Sequence, residues 1–161
     1  MEANGYKIKP GPNLIRADLS GADLSGANLN FANLAGANLT GANIEGAHLN
    51  LANLHGANLT SAKLISANLE GANLEGANLI MARLQGANLS FAILSSANLS
   101  FARLQGANLS FAILSSAKLF SANMEGADLE GANLSGANLT SAYLFKANLT
   151  GATMPDGTKH D

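Results

Sequence analysis

The chain has no cysteine and no tryptophan, only three prolines, and charged residues at just 12% of its positions. Each shortage removes a class of protein. Without cysteine there is neither a disulfide framework nor a thiolate to act as nucleophile or metal ligand, and cysteine usage gives no clue to redox compartment. Aromatic residues make up 5% of the 161 positions although 47% are hydrophobic, so the core must be built mostly from Ala and Leu. A net charge of −2 supplies neither the positive field that draws nucleic acid nor a dense negative one. Every apolar run is broken within a few positions, so no segment is expected to span a membrane. The opening Met1-Glu2-Ala3-Asn4-Gly5 lacks a basic stretch followed by an apolar one, and a cytoplasmic protein is expected.

What the chain has instead is repetition. Residues 82–97 read ARLQGANLSFAILSSA, and residues 102–117 repeat those sixteen letters. Within each copy a smaller unit recurs every five residues. From Ala17 to Ala152 an Ala stands at every fifth position, twenty-eight in succession. Two residues later comes Leu, with Ile44, Met124 and Met154 the departures, and Asn or Asp usually stands between. We number the pentad from its Ala, so that Asn is second, Leu third, and the two variable residues are fourth and fifth. A fixed period of this kind governs the whole fold.

A five-residue period fits neither simple element. On a helix, five residues advance about 500°, so successive Leu would never share a face. In a straight strand an odd period would turn successive Leu to opposite sides. The pattern becomes coherent if the chain turns once per pentad, with first and third positions inward, second and fourth outward, and the fifth at a corner. The twenty-residue duplication predicts four pentads per coil, since copying a whole coil leaves each side chain above its copy. Lys63 with Arg83 and Phe31 with Leu51 repeat at the same spacing. Twenty-nine pentads from Leu14 to Met154 then make about seven coils, a rod of roughly 35 Å at strand spacing.

The A(N/D)Lxx run over residues 13–154 resembles the pentapeptide-repeat proteins. The resemblance implies an all-β fold, a right-handed quadrilateral parallel β-helix (a β-solenoid). The Ala-Asn-Leu style and the closing Met154-Pro155-Asp156-Gly157-Thr158 look like the cyanobacterial members, most of which have no assigned activity. Three segments follow: an N-terminal tail and cap over 1–12, the repeat helix over 13–154, and a C-terminal turn and tail over 155–161. Met1–Gly5 is expected to be loose, with Tyr6 and Ile8 laid over the first coil and Pro10-Gly11-Pro12 turning into the repeat. Pro155-Asp156-Gly157 makes a thinner closure, leaving a partner, a second copy or Met154 and Pro155 themselves to cover the last coil.

No ionisable residue falls at an inward position from Ala17 onward, so function must lie outside. At the second position, stacked Asn side chains are expected to form amide ladders. The fifth position is Gly fourteen times but Phe, Leu or Met six times, which predicts a corner that does not require positive φ. The aromatic residues are the most informative. In the four-per-coil register Phe91, Ile93, Phe111 and Ile113 meet along one edge, and Ile80, Met81, Phe101 and Phe120 gather elsewhere. Contiguous exposed apolar groups mark a contact surface for a protein partner or a second copy. The competing reading is that they shelter the turns and pack on one another. Lys63, Arg83 and Arg103 form a basic column, one per coil, beside Gln85 and Gln105 and between Glu45 and Glu125. A solvated face explains the column, with an anionic ligand as the alternative.

No catalytic constellation is present. His48 and His55 lie on neighbouring faces and His160 in the tail, so no metal site forms. Glu70 and Glu75 face different ways, and no Ser has a His beside it. The expectation is a protein that is not an enzyme and takes no cofactor, nucleic acid or small-molecule substrate. It is read as a rigid interaction or structural module. The resemblance also implies an alternative, DNA mimicry toward a type II topoisomerase (gyrase), which needs dense Asp and Glu where this chain carries mostly Asn. A remote third reading is ice binding, because Thr40, Thr60 and Thr140 share a face that Ile80, Ser100 and Phe120 interrupt.

Overall fold

Hydrogen-bond accounting shows why a pentad turns. In the computed structural model, which describes residues 1–161, each backbone N–H of a pentad has a distinct destination. The Ala N–H closes the turn on the preceding Leu, as Ala92 N does on the Leu89 carbonyl at 3.1 Å. The second N–H donates one coil back (Ile93 to Ala72, 2.9 Å), whereas the third and fifth donate one coil on (Leu94 to Ile113, 2.7 Å; Phe91 to Ser110, 3.0 Å). Only the fourth N–H lacks a backbone partner. The second-position Asn supplies one, as when Ser90 N donates to Asn88 Oδ1 at 3.1 Å. Buried or half-buried N–H groups need such partners, and Asn and Asp favour this local turn.

Parallel bridges join each second-position residue to the one twenty residues on, from Asn13↔Asn33 to Asn133↔Thr153. Four pentads therefore close each coil. Its four faces are named here by their first inward Leu: Leu14, Leu19, Leu24 and Leu29. Ala and Leu at the inward positions are buried from Ala17 through Ala137, and form one continuous core. Leu stacks on Leu from coil to coil, with Ala leaving room beside it.

Two expectations fail at the turns. From Arg16 to Gly151 all twenty-eight fifth-position residues have positive φ, fourteen of them glycine and fourteen not. Phe91 (φ 59°), Leu51 (φ 55°) and Met81 (φ 57°) are as left-handed as the glycines. The corner does demand this geometry, and the bulky residues sit there at a cost of about 1–2 kcal/mol each. Second, the Asn side chains serve chiefly their own turn. Amide bonds between coils occur at a few positions, including Asn53 to Asn33 at 3.3 Å and Asn88 to Asn68 at 3.2 Å.

The ends differ. Met1–Gly5 is not loose: β1 (Glu2–Ala3) pairs antiparallel with β2 (Tyr6–Lys7), with Ala3 opposite Tyr6. Asn4 and Gly5 both have positive φ, the signature of a tight two-residue hairpin turn. Ala3 and Ile8 are buried over the first coil, while Tyr6 stays 36% exposed. At the other end Thr153 bridges Lys159 antiparallel, with Gly151 N donating to the His160 carbonyl at 2.8 Å. The turn covers one side only, and Leu139, Leu144 and Leu149 are partly open.

Candidate functional site

The geometry places the first apolar group along one corner, where the Leu29 face turns into the Leu14 face. Phe91 and Phe111 stack there with centroids 5.4 Å apart and planes 12° from parallel, an offset arrangement that aromatic rings favour. Ile93 and Ile113 are bridge partners on the adjoining Leu14 face. The same corner column carries Phe31 and Leu51 below them, 65% and 59% exposed, against 58% for Phe91 and 50% for Phe111. Sequence reasoning saw Phe31 and Leu51 repeat at twenty residues but did not join them to this group. The register alone assigns all four to one column.

This corner breaks the local rules twice per coil. Phe91 and Phe111 take a left-handed backbone that suits glycine, yet about half of each side chain stays in solvent. Ile93 and Ile113 stand where every Asn or Asp of the array accepts its turn N–H, and neither can do so. Strained, locally inconsistent positions cluster at functional surfaces.

A shallow notch of about 240 Å³ interrupts the column, lined by Asn50, Leu51, Glu70, Gly71 and Phe91. Gly71 makes it by having no side chain, and Leu51 leans over it, since a Cβ there would lie 2.7 Å from Leu51 Cδ2. At the notch itself the main chain has no free donor. The N–H groups of Leu51, Gly71 and Phe91 are all given to the next coil, and that of Glu70 to Asn68 Oδ1.

The second apolar group lies on the diagonally opposite corner and the Leu19 face. Phe101 meets Phe120 edge-on at 5.4 Å, Met81 is half exposed beside them, and Ile80 is half buried. No single flat partner could cover both groups. Tyr143 and Phe145 stack at 6.1 Å near the C-terminal coil, with Lys146 Nζ 5.2 Å above the Phe145 ring.

The basic column is continuous, with Lys63 bridged to Arg83 and Arg83 to Arg103 on the Leu24 face. None of the three is within ion-pair distance of a carboxylate; the one contact of the chain within that distance is His55 Nδ1 to Glu75 at 3.8 Å, an ion pair only when the imidazole is protonated. Arg83 Nε and the amide oxygens of Gln85 and Gln105 are enclosed without a hydrogen-bond partner. No cluster of His, Asp or Glu could hold a metal. Three carboxylates titrate below their ordinary range. The Thr158 hydroxyl and then its N–H stabilise the Asp156 anion, with Oγ1 at 2.7 Å and N at 3.0 Å. Ser20 and Ser25 do likewise for Asp18 and Asp23.

Coil geometry and surface together define a β-solenoid that presents flat polar faces and apolar corners. Comparison with known proteins gives the family. The chain belongs to the pentapeptide-repeat family, eight copies of whose repeats are matched over residues 13–50, 52–90, 92–126 and 122–156. Its fold is the right-handed quadrilateral β-helix of that family. It is similar to the crystal structure of HetL, a pentapeptide repeat protein involved in heterocyst differentiation regulation from the cyanobacterium Nostoc sp. strain PCC 7120. The two share 41% identity at a TM-score of 0.65, over 92% of this chain and 76% of HetL. Rfr23 from the cyanobacterium Cyanothece 51142 is 40% identical at a TM-score of 0.51, over 62% of this chain and 64% of its own. No curated protein matches the sequence. No helix is long and apolar enough to cross a membrane.

Proposed function

We propose that this chain is a non-catalytic protein-interaction module whose contact surface is the Phe91 corner, centred on Phe91, Ile93, Phe111 and Ile113. One observation carries the reading: large apolar side chains are held half exposed on a backbone that favours glycine. A residue that costs strain and leaves half of its apolar side chain in solvent points to a use outside the fold. The family supports a repeat scaffold that binds other proteins, and a rod with every coil locked to its neighbours holds such a surface rigid, which lowers the entropic cost of docking.

DNA mimicry toward a topoisomerase is not favoured, because 11 Asp and Glu are offset by 9 Lys and Arg and three of those cations form their own column. The test is a photo-crosslinking residue placed at position 91, and at Asn98 on the Leu19 face as a control. Partner adducts from position 91 alone, removed by the Phe111→Ser and Ile113→Ser changes, are the expected result. Equal adducts from both positions would count against the corner.

A further inference from the structure

Resting on the reading of the Phe91 corner as a contact surface, we infer that its partner is an amphipathic helix that seats one large apolar side chain in the Gly71 notch and sets a Lys or Arg against Glu70. The argument against an extended partner is the main chain. Along the Phe31–Phe111 column every fourth- and fifth-position N–H is donated within the solenoid. Only Ser95 and Ser115, beside Ile93 and Ile113, keep a free N–H, so a strand docking along the column would leave most of its own carbonyls unpaired. A helix brings its backbone hydrogen bonds with it.

The column has the size and relief for one. Phe31 to Phe111 spans four coil steps, roughly 19 Å at strand spacing, which about 13 helical residues cover. Near its middle the notch lies open between Leu51 and Phe91, so a side chain projecting from the helix has a hole to enter. Anchors in such holes carry most interface energy. Glu70 lines the same notch with no cation within ion-pair distance, so its free charge fits a basic residue three or four positions from the apolar anchor.

The experiment pans two phage libraries against the full chain, one of amphipathic helical 18-mers and one of disulfide-closed hairpins. Selected peptides are then measured against three variants. Gly71→Phe fills the notch while leaving the corner apolar, and the column already accepts Phe at this φ in Phe91 and Phe111. The atom it meets is the free end of Leu51, and Gly71→Leu serves as a second filling variant should the first fail to fold. Helical binders with an apolar anchor and a neighbouring Lys or Arg are expected. Gly71→Phe should weaken them about tenfold or more, and Glu70→Gln about two- to fivefold. Binders from the hairpin library alone, no binders at all, or helical binders indifferent to Gly71→Phe would overturn the inference. Binding lost on Phe91/Ile93/Phe111/Ile113→Ser but kept by Gly71→Phe would leave the contact surface standing and remove the notch. Binding kept by both would remove the surface as well.

Discussion

Replacing Gly76 with Ala isolates the left-handed corner from every other effect. Gly76 has φ 64°, and a Cβ built on it meets nothing within 4 Å. Sterics with neighbours are therefore absent, and only the backbone responds. A left-handed Ala costs about 1–2 kcal/mol, while losing a glycine from the unfolded chain returns about 0.4–1 kcal/mol. The difference is a net destabilisation of up to about 1.5 kcal/mol, or up to about 6 °C in Tm for a chain of this length. Urea unfolding followed by circular dichroism reads it directly. Gly131→Ala shares the geometry, with φ 62–63° at Gly71 and Gly126 and 62° at Gly131 itself, but its Cβ would lie 2.6 Å from Phe111 Cδ1 and Cε1. It should cost up to about 1 kcal/mol more, because Phe111 must swing away from Phe91. A Gly76→Ala protein more stable than the parent would refute the corner geometry.

Three other outcomes follow from the same structure. Leu94→Ala, at a residue with no exposed surface, should cost about 2–5 kcal/mol through the cavity it opens, and Ala92→Leu about 1–3 kcal/mol through overpacking; calorimetry checks both. Asn98→Ala leaves the Ser100 N–H without its Oδ1 partner, now at 3.1 Å, and should lower stability by about 0.5–1.5 kcal/mol in urea titrations. The Asp156 pKa is lowered from 3.8 in the folded chain, so the stability its turn gains is present above about pH 4 and lost as pH falls through the lower folded value. An NMR titration of the Thr158 amide should show its midpoint below 3.8; a midpoint at or above that would contradict the hydrogen bonds.

Coil register was legible because the duplication of residues 82–97 at twenty residues left only one stacking in which identical side chains coincide. Burial of Ala and Leu followed from the same step. The corner was misread for a physical reason: six bulky residues looked incompatible with positive φ, yet a penalty of about 1–2 kcal/mol each is affordable in a solenoid whose coils share so large a core. Asn at the second position pointed to ladders because stacking is visible in the period, whereas the unpaired fourth N–H is visible only once every other donor has been assigned. The N-terminal hairpin hid behind the brevity of Glu2–Ala3, although Asn4-Gly5 carries its turn signal. Of the candidate site, Phe91, Ile93, Phe111 and Ile113 could be read from register. Phe31, Leu51 and the Gly71 notch needed the corner column to be followed through every coil, including the place where a side chain is missing.

The most direct test of the central claim needs no partner. It is the equilibrium unfolding of a Phe91→Gly/Phe111→Gly double variant. Relief of two left-handed Phe is worth about 1–2 kcal/mol each, offset by about 0.5–1 kcal/mol each for glycine freedom in the unfolded chain, by about 0.7–1.5 kcal/mol each for the half of each side chain that the fold buries, and by about 0.5–1.5 kcal/mol for the lost ring stack. Residues kept for binding and not for folding predict a loss of no more than about 2 kcal/mol, with the coil's circular dichroism unchanged. A loss of about 3 kcal/mol or more, the scale of removing a buried Phe, would show that the pair holds the solenoid together, and would contradict the claim.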